Sequence, residues 1–400
     1  MYKEKYIKIQ LGEDSAFIRF DSLEKLEKVD AIVFDCDGVI IDATKSYLSS
    51  IKETVNYIFS RLTGASIEDQ LLDKMIYILK KGGDFNNDWA VSYTMSLLTL
   101  TLMPKQIKEE FVRTLDSKHF NNLKNPLDKL LFVEKSLSNE YINFEISKDS
   151  LLRLIELTKK ISLSGKYFEK ILFSDSSILQ SNIHILRSGK KLLSYPGEVG
   201  EGLLITIFEE IFLGCELFKN IYSQDCLFHK SRGLIEKEEV LLEKEALQKI
   251  STLIGRANFG IASGRPFIAS EYSMGELLDY FKPESRVFLD DIDKAEKDAK
   301  HNGKEGELSK PNPYSLLKCA TNLMPFKFAL YLGDSMADFL MVELANKIES
   351  RYLFCGVYSH FVMSEEQKLD FIKKGADIII PSVRHLPYIL KCIKEGKDFA

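Results

Sequence analysis

The sequence predicts a three-layer α/β fold, in which a parallel, Rossmann-like sheet carries an inserted domain that is mostly α-helical. Short, continuous apolar runs occur near residue 31 and again after residue 258, as expected of strands buried on both faces of a parallel sheet. Helical patterns separate the later runs, which is typical of βαβ units. Between these two regions, long amphipathic segments replace the strand-like runs, so we expect a helical domain there.

Size and charge limit the class of protein. The chain has 400 residues, more than a single hydrophobic core usually serves, so two domains are expected. Its formal net charge is −5 with scattered lysines and arginines, which argues against contact with nucleic acid or with a membrane surface. No apolar run is long enough to cross a bilayer, and the N-terminus shows no secretory signal. The six cysteines are spread without a CxxC pair, so we expect a cytoplasmic enzyme.

The parts of the chain are assigned in order. Residues 1–29 are predicted to form an N-terminal extension, because YIKIQL and AFIRF alternate as the edge strands of a hairpin do. Residues 30–45 and 246–400 are predicted to form the α/β core. Its strands are predicted from six apolar runs, namely AIVF, FGIA, RVFL, FALYL, YLFCGV and DIII. The charged segment 291–309 contains two glycines and is predicted to be a flexible loop.

Residues 46–245 are predicted to form the inserted helical domain. Its amphipathic segments include TKSYLSSIKETVNYIFSRL, IEDQLLDKMIYILKKG, KDSLLRLIELTKKI and EGLLITIFEEIFLGCELF. Strand-like runs are few here, and ILFSD is the most plausible of them. One segment, GGDFNNDW, follows a Gly-Gly break with acids, amides and the only tryptophan of the chain. It is either a loop whose Asn and Asp residues form turns and a helix cap, or a loop that offers Asn86, Asn87 and Trp89 to a substrate.

Polar residues follow the predicted core strands at their carboxyl ends, which is where open parallel sheets bind ligands. These residues are Asp35, Asp37 and Gly38 after AIVF, then Ser263, Gly264 and Arg265 after FGIA, then Lys310 in KPNP, and finally Asp334 and Asp338 after FALYL. Acids, a hydroxyl and an ammonium group are therefore expected at one edge of the sheet.

This set of groups suits phosphoryl transfer. A carboxylate can attack phosphorus and form an aspartyl-phosphate, which divides one difficult displacement into two easier ones. A Mg²⁺ ion bound by carboxylate and carbonyl oxygens can neutralise the two anions that meet. A second carboxylic acid can protonate the leaving oxygen and later accept a proton from the attacking water. Ser263 and Lys310 can hold the phosphoryl oxygens, because phosphoryl transfer depends mainly on positioning and electrostatics.

The segments DCDGV, SGRP, KPNP and GDSMAD, in this order, resemble the four sequence motifs of the haloacid dehalogenase (HAD) superfamily. The resemblance covers about 31–45 and 245–390, and it implies a HAD-type core with a helical cap inserted between motifs one and two. A weaker similarity to phosphoglycolate-phosphatase-like members lies in EEIFLGCELF, GLIEKEEVL and SGRPFIASEY. The inserted domain is longer than such caps usually are, and the segment 291–309 does not align to the pattern of the family.

The resemblance also implies roles for individual residues. Asp35 would be the nucleophile and Asp37 the general acid and base. The Asp35 carboxylate, the Asp37 backbone carbonyl and Asp334 would bind Mg²⁺. Dehalogenases of the superfamily lack the second acid of the DxD pattern, and this chain has it, so phosphate chemistry is expected rather than dehalogenation.

The remaining motif residues would support this chemistry. Asp338 would be a second acidic partner, which either binds the metal through water or orients Lys310. Ser263 and Lys310 would contact the phosphoryl group, and Gly264 and Arg265 would help to bind the substrate.

Simpler explanations exist for several of these residues. Asp35 and Asp37 could form a turn or a helix cap. Ser263 could be the N-cap of a helix with Pro266 at its first position. Arg265 could contact substrate or make a structural ion pair, Lys304 competes with Lys310, and Asp42 is expected to begin the inserted domain.

The sequence therefore predicts a Mg²⁺-dependent phosphatase that hydrolyses a small phosphorylated metabolite. A domain that excludes bulk water from the site suits a small substrate better than a phosphoprotein. A phosphomutase of the same superfamily and a catalytically idle binding protein are the alternatives. The size of the inserted domain leaves surface for a homodimer, and the sequence does not identify the phosphate ester.

Overall fold

The computed structural model of the protein describes residues 5–83, 85–137, 146–163, 168–174, 176–303 and 306–396. The chain divides into two compact units. The sheet unit comprises Met1–Thr44 and Glu238–Ala400, and the helical unit comprises Lys45–Lys237. The helical unit is thus an insertion, which the chain enters after Thr44 and leaves at Glu238. Residues 238–245, assigned from the sequence to the inserted domain, belong to the sheet unit.

The sheet unit contains an eight-stranded sheet with the strand order β1-β2-β10-β9-β8-β3-β6-β7. Two further short strands, β4 and β5, form a separate antiparallel ribbon. The strands are β1 (Tyr6–Leu11), β2 (Asp14–Arg19), β3 (Val29–Phe34), β4 (Ile41–Asp42), β5 (Glu239–Val240), β6 (Phe259–Ala262), β7 (Arg286–Val287), β8 (Phe328–Gly333), β9 (Tyr352–Val357) and β10 (Ile378–Ile380). Strands β10, β9, β8, β3, β6 and β7 are parallel to one another. The predicted α/β fold is confirmed.

Both faces of the sheet are covered, which explains why its strands are apolar throughout. Ile32 and Phe34 of β3 pack in one buried hydrophobic cluster, whereas Ala31 and Val33 of the same strand pack in a second one. Because successive side chains of a strand point to opposite faces, the two clusters lie on opposite sides of the sheet. The sheet unit therefore has three layers.

The N-terminal hairpin is part of this sheet and not a separate extension. Strand β2 pairs antiparallel with β10, so β1 becomes the edge strand. The guanidinium of Arg19 lies 2.6 Å from the carboxylate of Asp377 just before β10. Strand β1 alternates between half-buried and exposed residues, as the sequence pattern predicts for an edge.

Over its described residues, the helical unit contains ten α-helices. They are α2 (Tyr47–Thr63), α3 (Asp69–Lys80), α4 (Asp88–Leu100), α5 (Lys105–Leu115), α6 (Lys118–Asn122), α7 (Pro126–Ser136), α8 (Lys148–Ser162), α9 (Phe168–Ser174), α10 (Ser176–Leu193) and α11 (Leu203–Tyr222), and the short α1 (Leu23–Leu26) precedes them in the sheet unit. The predicted strand ILFSD is wrong, because its first four residues belong to α9 and Asp175 lies outside the described residues. A run of three apolar residues does not distinguish a strand from a buried helical turn.

The remaining helices flank the sheet. They are α12 (Lys244–Ile254), α13 (Phe267–Met274), α14 (Leu289–His301), α15 (Tyr314–Thr321), α16 (Met336–Ile348), α17 (Ser364–Lys374) and α18 (Leu386–Glu395). The predicted loop at 291–309 is wrong over its first part, which is helix α14, and Lys304 lies outside the described residues. Acids occupy the first turn of α14, and Lys300 and His301 occupy the last, an arrangement that the helix dipole favours.

Among the described residues, none of the helices combines the length and the apolar character needed to cross a bilayer.

Candidate functional site

The carboxyl ends of three neighbouring strands bring the predicted residues together. Strand β3 pairs with β6 on one side and with β8 on the other, and Phe34 lies opposite Ile261 and Leu332. The residues that follow these strands therefore emerge at the same edge of the sheet. The backbone N–H of Asp35 donates to the Leu332 carbonyl at 2.9 Å, which fixes the start of the first loop.

Asp35 lies in the centre of this edge. Its side chain is buried, and its Oδ1 atom accepts a hydrogen bond from the backbone N–H of Cys36 at 2.8 Å. The Nζ atom of Lys310 lies 3.0 Å from the same oxygen. Burial raises the pKa of Asp35, and the positive charge of Lys310 opposes that shift. Asp35 thus combines a desolvated carboxyl with an adjacent cation.

Lys310 is held by three oxygen atoms. Besides Asp35, its Nζ atom contacts Asp338 Oδ1 at 2.8 Å and the hydroxyl of Tyr331 at 2.7 Å. These partners match the three donors of an ammonium group. Burial by itself lowers the pKa of Lys310, but the carboxylates of Asp338 and Asp35 outweigh burial and raise the pKa above its ordinary value. Lys310 therefore carries a charge in a fixed position.

Asp338 anchors this arrangement. It is fully buried, and its Oδ2 atom accepts from the backbone N–H of Ser335 at 3.0 Å and from the Ser335 hydroxyl at 2.6 Å, in a capping box of α16. Its Oδ1 atom accepts from Lys310 and from the Tyr331 hydroxyl at 2.8 Å. With both oxygens in use, Asp338 has the contacts of a residue that orients Lys310.

Asp37 faces a second cation. The Nη1 atom of Arg265 lies 2.7 Å from Asp37 Oδ1, and the Arg265 side chain is completely buried, whereas 31% of the Asp37 side chain stays exposed. Burial raises the pKa of Asp37 to about 7, although the Arg265 charge opposes this shift, while Glu238 and Asp35 add to it. The pKa of Asp37 thus lies near neutrality, and part of its side chain is in contact with solvent.

Glu238 and Tyr331 belong to the site, and the sequence reasoning missed both. Glu238 makes a two-pronged ion pair with Arg265, whose Nη1 and Nη2 atoms lie 2.9 and 2.7 Å from its oxygens. For Tyr331, the only signal was a hydroxyl within the otherwise apolar run FALYL. For Glu238 no local signal existed, because GLIEKEEVL contains two further glutamates, both of them exposed.

Ser263 lies beside Asp35, and its hydrogen bond to that carboxylate lowers the Asp35 pKa, against the larger effect of burial. Its Oγ atom also accepts from the backbone N–H of Arg265 at 3.3 Å across Gly264. The alternative of Ser263 as an N-cap is wrong, because helix α13 begins at Phe267 and Pro266 occupies the cap position. Its hydroxyl instead faces the Asp35 carboxylate.

Three carboxylates could take part in holding a metal ion. Oxygen atoms of Asp35, Asp334 and Asp338 lie within 4.8 Å of one another. A set of hard oxygen donors suits Mg²⁺. Since both Asp338 oxygens already accept hydrogen bonds, Asp35 and Asp334 are the better candidate ligands.

Gly38 permits the close approach of the first loop to Asp334. Its φ is +72°, and a Cβ atom added there would lie 2.2 Å from Asp334 Oδ2. Any other residue would be strained and would collide with this carboxylate. The glycine thus leaves the Asp334 carboxylate beside the loop of Asp35 and Asp37, and this group of oxygens fits a small divalent cation.

Asp42 and His360 form a separate pair. The Nδ1 atom of His360 lies 3.3 Å from Asp42 Oδ2, and the hydrogen bond from His360 lowers the pKa of Asp42. Asp42 also accepts a hydrogen bond from the backbone N–H of Thr44, the last residue before the helical unit. Asp42 is thus paired with His360 and Thr44, and not with Lys310 or Arg265.

The predicted substrate residues of the inserted domain lie in the helical unit. Asn87 is the N-cap of α4, and its side-chain oxygen accepts from the backbone N–H of Ala90 at 3.0 Å. The indole N–H of Trp89 donates to the buried Glu209 at 2.9 Å. Asn86 is half-buried, and Asp84 of the same segment lies outside the described residues.

The chain matches no protein-family model and no curated protein. Two solved structures resemble it. Northeast Structural Genomics Consortium target ZR25 superimposes with a TM-score of 0.52 at 16% identity, over 92% of this chain and all of the other. Phosphatase Tt82 from Thermococcus thioreducens gives a TM-score of 0.45 at 18% identity, over 91% of this chain and 99% of the other. The first likeness shows a shared fold.

Proposed function

We propose that this protein is a Mg²⁺-dependent phosphatase of the HAD superfamily, which hydrolyses a small phosphomonoester through an aspartyl-phosphate. The observation that carries the proposal is the arrangement around Asp35. Its buried carboxylate lies 3.0 Å from the Lys310 ammonium group and within 4.8 Å of two further carboxylates, at the carboxyl edge of a parallel sheet. Acids crowded at this edge are costly without a cation, and a bound divalent ion would make them a site.

In the first step, an Asp35 oxygen attacks phosphorus, and the bond between phosphorus and the leaving oxygen breaks. Asp37 donates its proton to that oxygen, so the product leaves as an alcohol. Asp35, Asp334 and the Asp37 backbone carbonyl would hold Mg²⁺, which when bound offsets the repulsion between carboxylate and phosphate. In the second step, water attacks phosphorus and gives a proton to Asp37, and Asp35 is released as a carboxylate.

Asp37 is suited to both steps because of its surroundings. A carboxyl group with a pKa of about 7 is partly protonated near neutral pH, so it can act as an acid and then as a base. Its partial exposure gives it access to the leaving oxygen and to water.

Lys310 and Ser263 would stabilise the phosphoryl group as it moves between oxygens. The ammonium group is immobilised by Asp338 and Tyr331, so little reorganisation is needed when negative charge develops beside it. Gly264 and Arg265 would act in the same loop, Gly264 beside the phosphoryl group and Arg265 through Asp37. In the helical unit, a role of Asn86, Asn87 and Trp89 in substrate binding stays a prediction from the sequence.

The test is a screen of sugar phosphates, polyol phosphates, phosphoglycolate and nucleotides with Mg²⁺, measured as release of inorganic phosphate. We expect turnover that chelation of Mg²⁺ abolishes, and a loss of about 10⁴-fold or more in D35N. D279N, which changes an exposed aspartate of the same unit, is the matched control. In the same screen, N86A is expected to raise KM for the best substrate.

Each other outcome has a definite meaning. An isomerised product with little free phosphate would indicate a phosphomutase, and the absence of turnover on all esters would indicate a binding protein. Substantial phosphatase activity in D35N would contradict the nucleophilic role of Asp35. Mass spectrometry of acid-quenched protein is expected to find the phosphoryl group on the peptide that contains Asp35.

A further inference from the structure

Arg265 contacts two carboxylates, those of Glu238 and Asp37, although one carboxylate is enough to neutralise a buried arginine. Arg265 is completely buried, and Glu238, with 2% of its side chain exposed, neutralises it through two parallel hydrogen bonds. The Nη2 atom also donates to the Ala269 carbonyl at 3.0 Å and to the Ser273 hydroxyl at 3.1 Å. Glu238 therefore already supplies the counter-charge that the buried guanidinium requires.

The contact with Asp37 is additional and one-sided. Arg265 binds only the Oδ1 atom of Asp37, at 2.7 Å, and no described residue hydrogen-bonds to the Oδ2 atom. The Asp37 side chain is also the exposed member of the cluster. Arg265 therefore fixes the rotation of the carboxyl group and leaves its second oxygen available.

Glu238 controls where Arg265 points. An Arg side chain has several rotatable bonds, and the planar two-pronged pair with Glu238 locks the plane of the guanidinium. Glu238 is itself held by a hydrogen bond from Ser273 and by its position beside β5, which pairs with β4. The Asp37 turn leads directly into β4, since the Gly38 N–H donates to the Ile41 carbonyl at 2.8 Å.

We propose that Glu238 is a positioning residue for proton transfer, which fixes Arg265 and, through it, aims the free oxygen of Asp37 at the leaving group. The inference rests on the phosphatase function proposed above. Glu238 is also the first residue of the sheet unit after the helical insertion. The geometry of the acid thus depends on the segment that returns the chain from the inserted domain.

The test compares two classes of substrate. p-Nitrophenyl phosphate has a weakly basic leaving group that departs without a proton, whereas an alkyl phosphate needs one. In E238Q, kcat/KM for the alkyl phosphate is expected to fall by about 10- to 100-fold, part of the usual contribution of a general acid. The value for p-nitrophenyl phosphate is expected to stay within about threefold, because only proton delivery is disturbed.

Matched variants separate positioning from general damage. E239Q changes the next residue, whose carboxylate is 62% exposed and pairs with Arg384, and it is expected to behave like the unaltered protein with both substrates. D37N is expected to show the same selectivity between substrates, more strongly than E238Q. The double variant E238Q/D37N is expected to be no slower than D37N, because both residues act on one proton transfer.

An equal loss on both substrates, or no loss on either, would overturn the inference, and so would additive losses in the double variant. If E238Q does not fold by circular dichroism, S273A serves instead, because it removes only a hydroxyl that contacts Glu238 and Arg265. S273A is expected to show the same selectivity on a smaller scale. Absence of Mg²⁺-dependent phosphate release by the unaltered protein would instead contradict the proposed function, and this inference with it.

Discussion

Both units bury carboxylates, but they compensate them in different ways. In the sheet unit, the acids of the strand edge face cations, with the buried Asp35 and Asp338 against Lys310 and the partly exposed Asp37 against Arg265. In the helical unit, Glu209 is buried against two neutral donors, the indole of Trp89 and the hydroxyl of Tyr222. The neighbouring Glu210 accepts from the backbone N–H groups of Leu227, Phe228 and His229.

The difference shows which acids are arranged for chemistry and which for packing. A cation close to a buried carboxylate places charge where a reacting anion can use it. Neutral donors satisfy the oxygens without replacing the lost hydration of a charge, so burial raises the pKa of Glu209 to about 7. Glu209 therefore behaves as a structural acid, although its pKa lies near that of Asp37.

The strongest way to break this distinction is to remove the cation from the sheet edge. K310M leaves Asp35 and Asp338 buried close together without their counter-charge. We expect the metal-free protein to lose about 3–5 kcal/mol of unfolding free energy in urea, and phosphatase activity to fall at least about 100-fold.

The control for this variant is K318M. Lys318 pairs with Asp291 at 3.2 Å, with more than a third of each side chain exposed, so its loss is expected to cost less than about 1 kcal/mol. Similar costs for the two variants would show that the buried cation has no special role in stability.

A smaller effect is expected when the structural acid is replaced. In the folded state Glu209 binds its proton with a pKa of about 7, above its ordinary value of 4.5, so the unfolded chain ionises first as pH rises. Glu209 therefore contributes its full stabilisation below about pH 4.5, and this contribution is lost as pH rises through 7. E209Q is expected to remove this dependence and to add up to about 3 kcal/mol of stability at pH 8.

Trp89 offers a direct measurement, because it is the only tryptophan and donates to Glu209. Its fluorescence during urea unfolding at pH 5 and pH 8 reports the helical unit. E216Q, which changes an exposed glutamate of the same helix, is expected to leave the pH dependence unchanged. A wild-type protein that is equally stable at both pH values would contradict the shift.

The smallest effect on stability is expected from a methyl group added at Gly38, beside Asp334. In G38A the strained positive φ costs about 1–2 kcal/mol, and the new Cβ displaces Asp334, so the Mg²⁺ concentration for half-maximal activity is expected to rise. G12A has the same backbone conformation, with φ +66° and no atom within 4 Å of the added Cβ. G12A is expected to lose stability but no Mg²⁺ affinity. An equal loss of Mg²⁺ affinity in both variants would contradict the close approach of Gly38 to Asp334.

Much of the fold could be predicted from the sequence, because buried parallel strands carry a local signal. Runs such as AIVF and YLFCGV correspond to β3 and β9, which are almost fully buried. Weaker signals failed. RVFL yields only the two-residue strand β7, since Leu289 already begins α14. The charges of 291–309 predicted a loop, although one buried residue, Ile292, and favourable charges at the ends suffice for a helix.

The sequence by itself determined where the core strands lie along the chain and which acids follow them, because apolar runs and the residues directly after them are local features. Only the tertiary structure decided which charges face each other. Asp37 meets Arg265 across 228 positions of the chain, and Arg265 meets Glu238 across 27. Nothing in a local pattern distinguishes Glu238 from the glutamates beside it. Desolvation does, because a buried arginine must be neutralised by whichever carboxylate the fold brings within hydrogen-bonding distance.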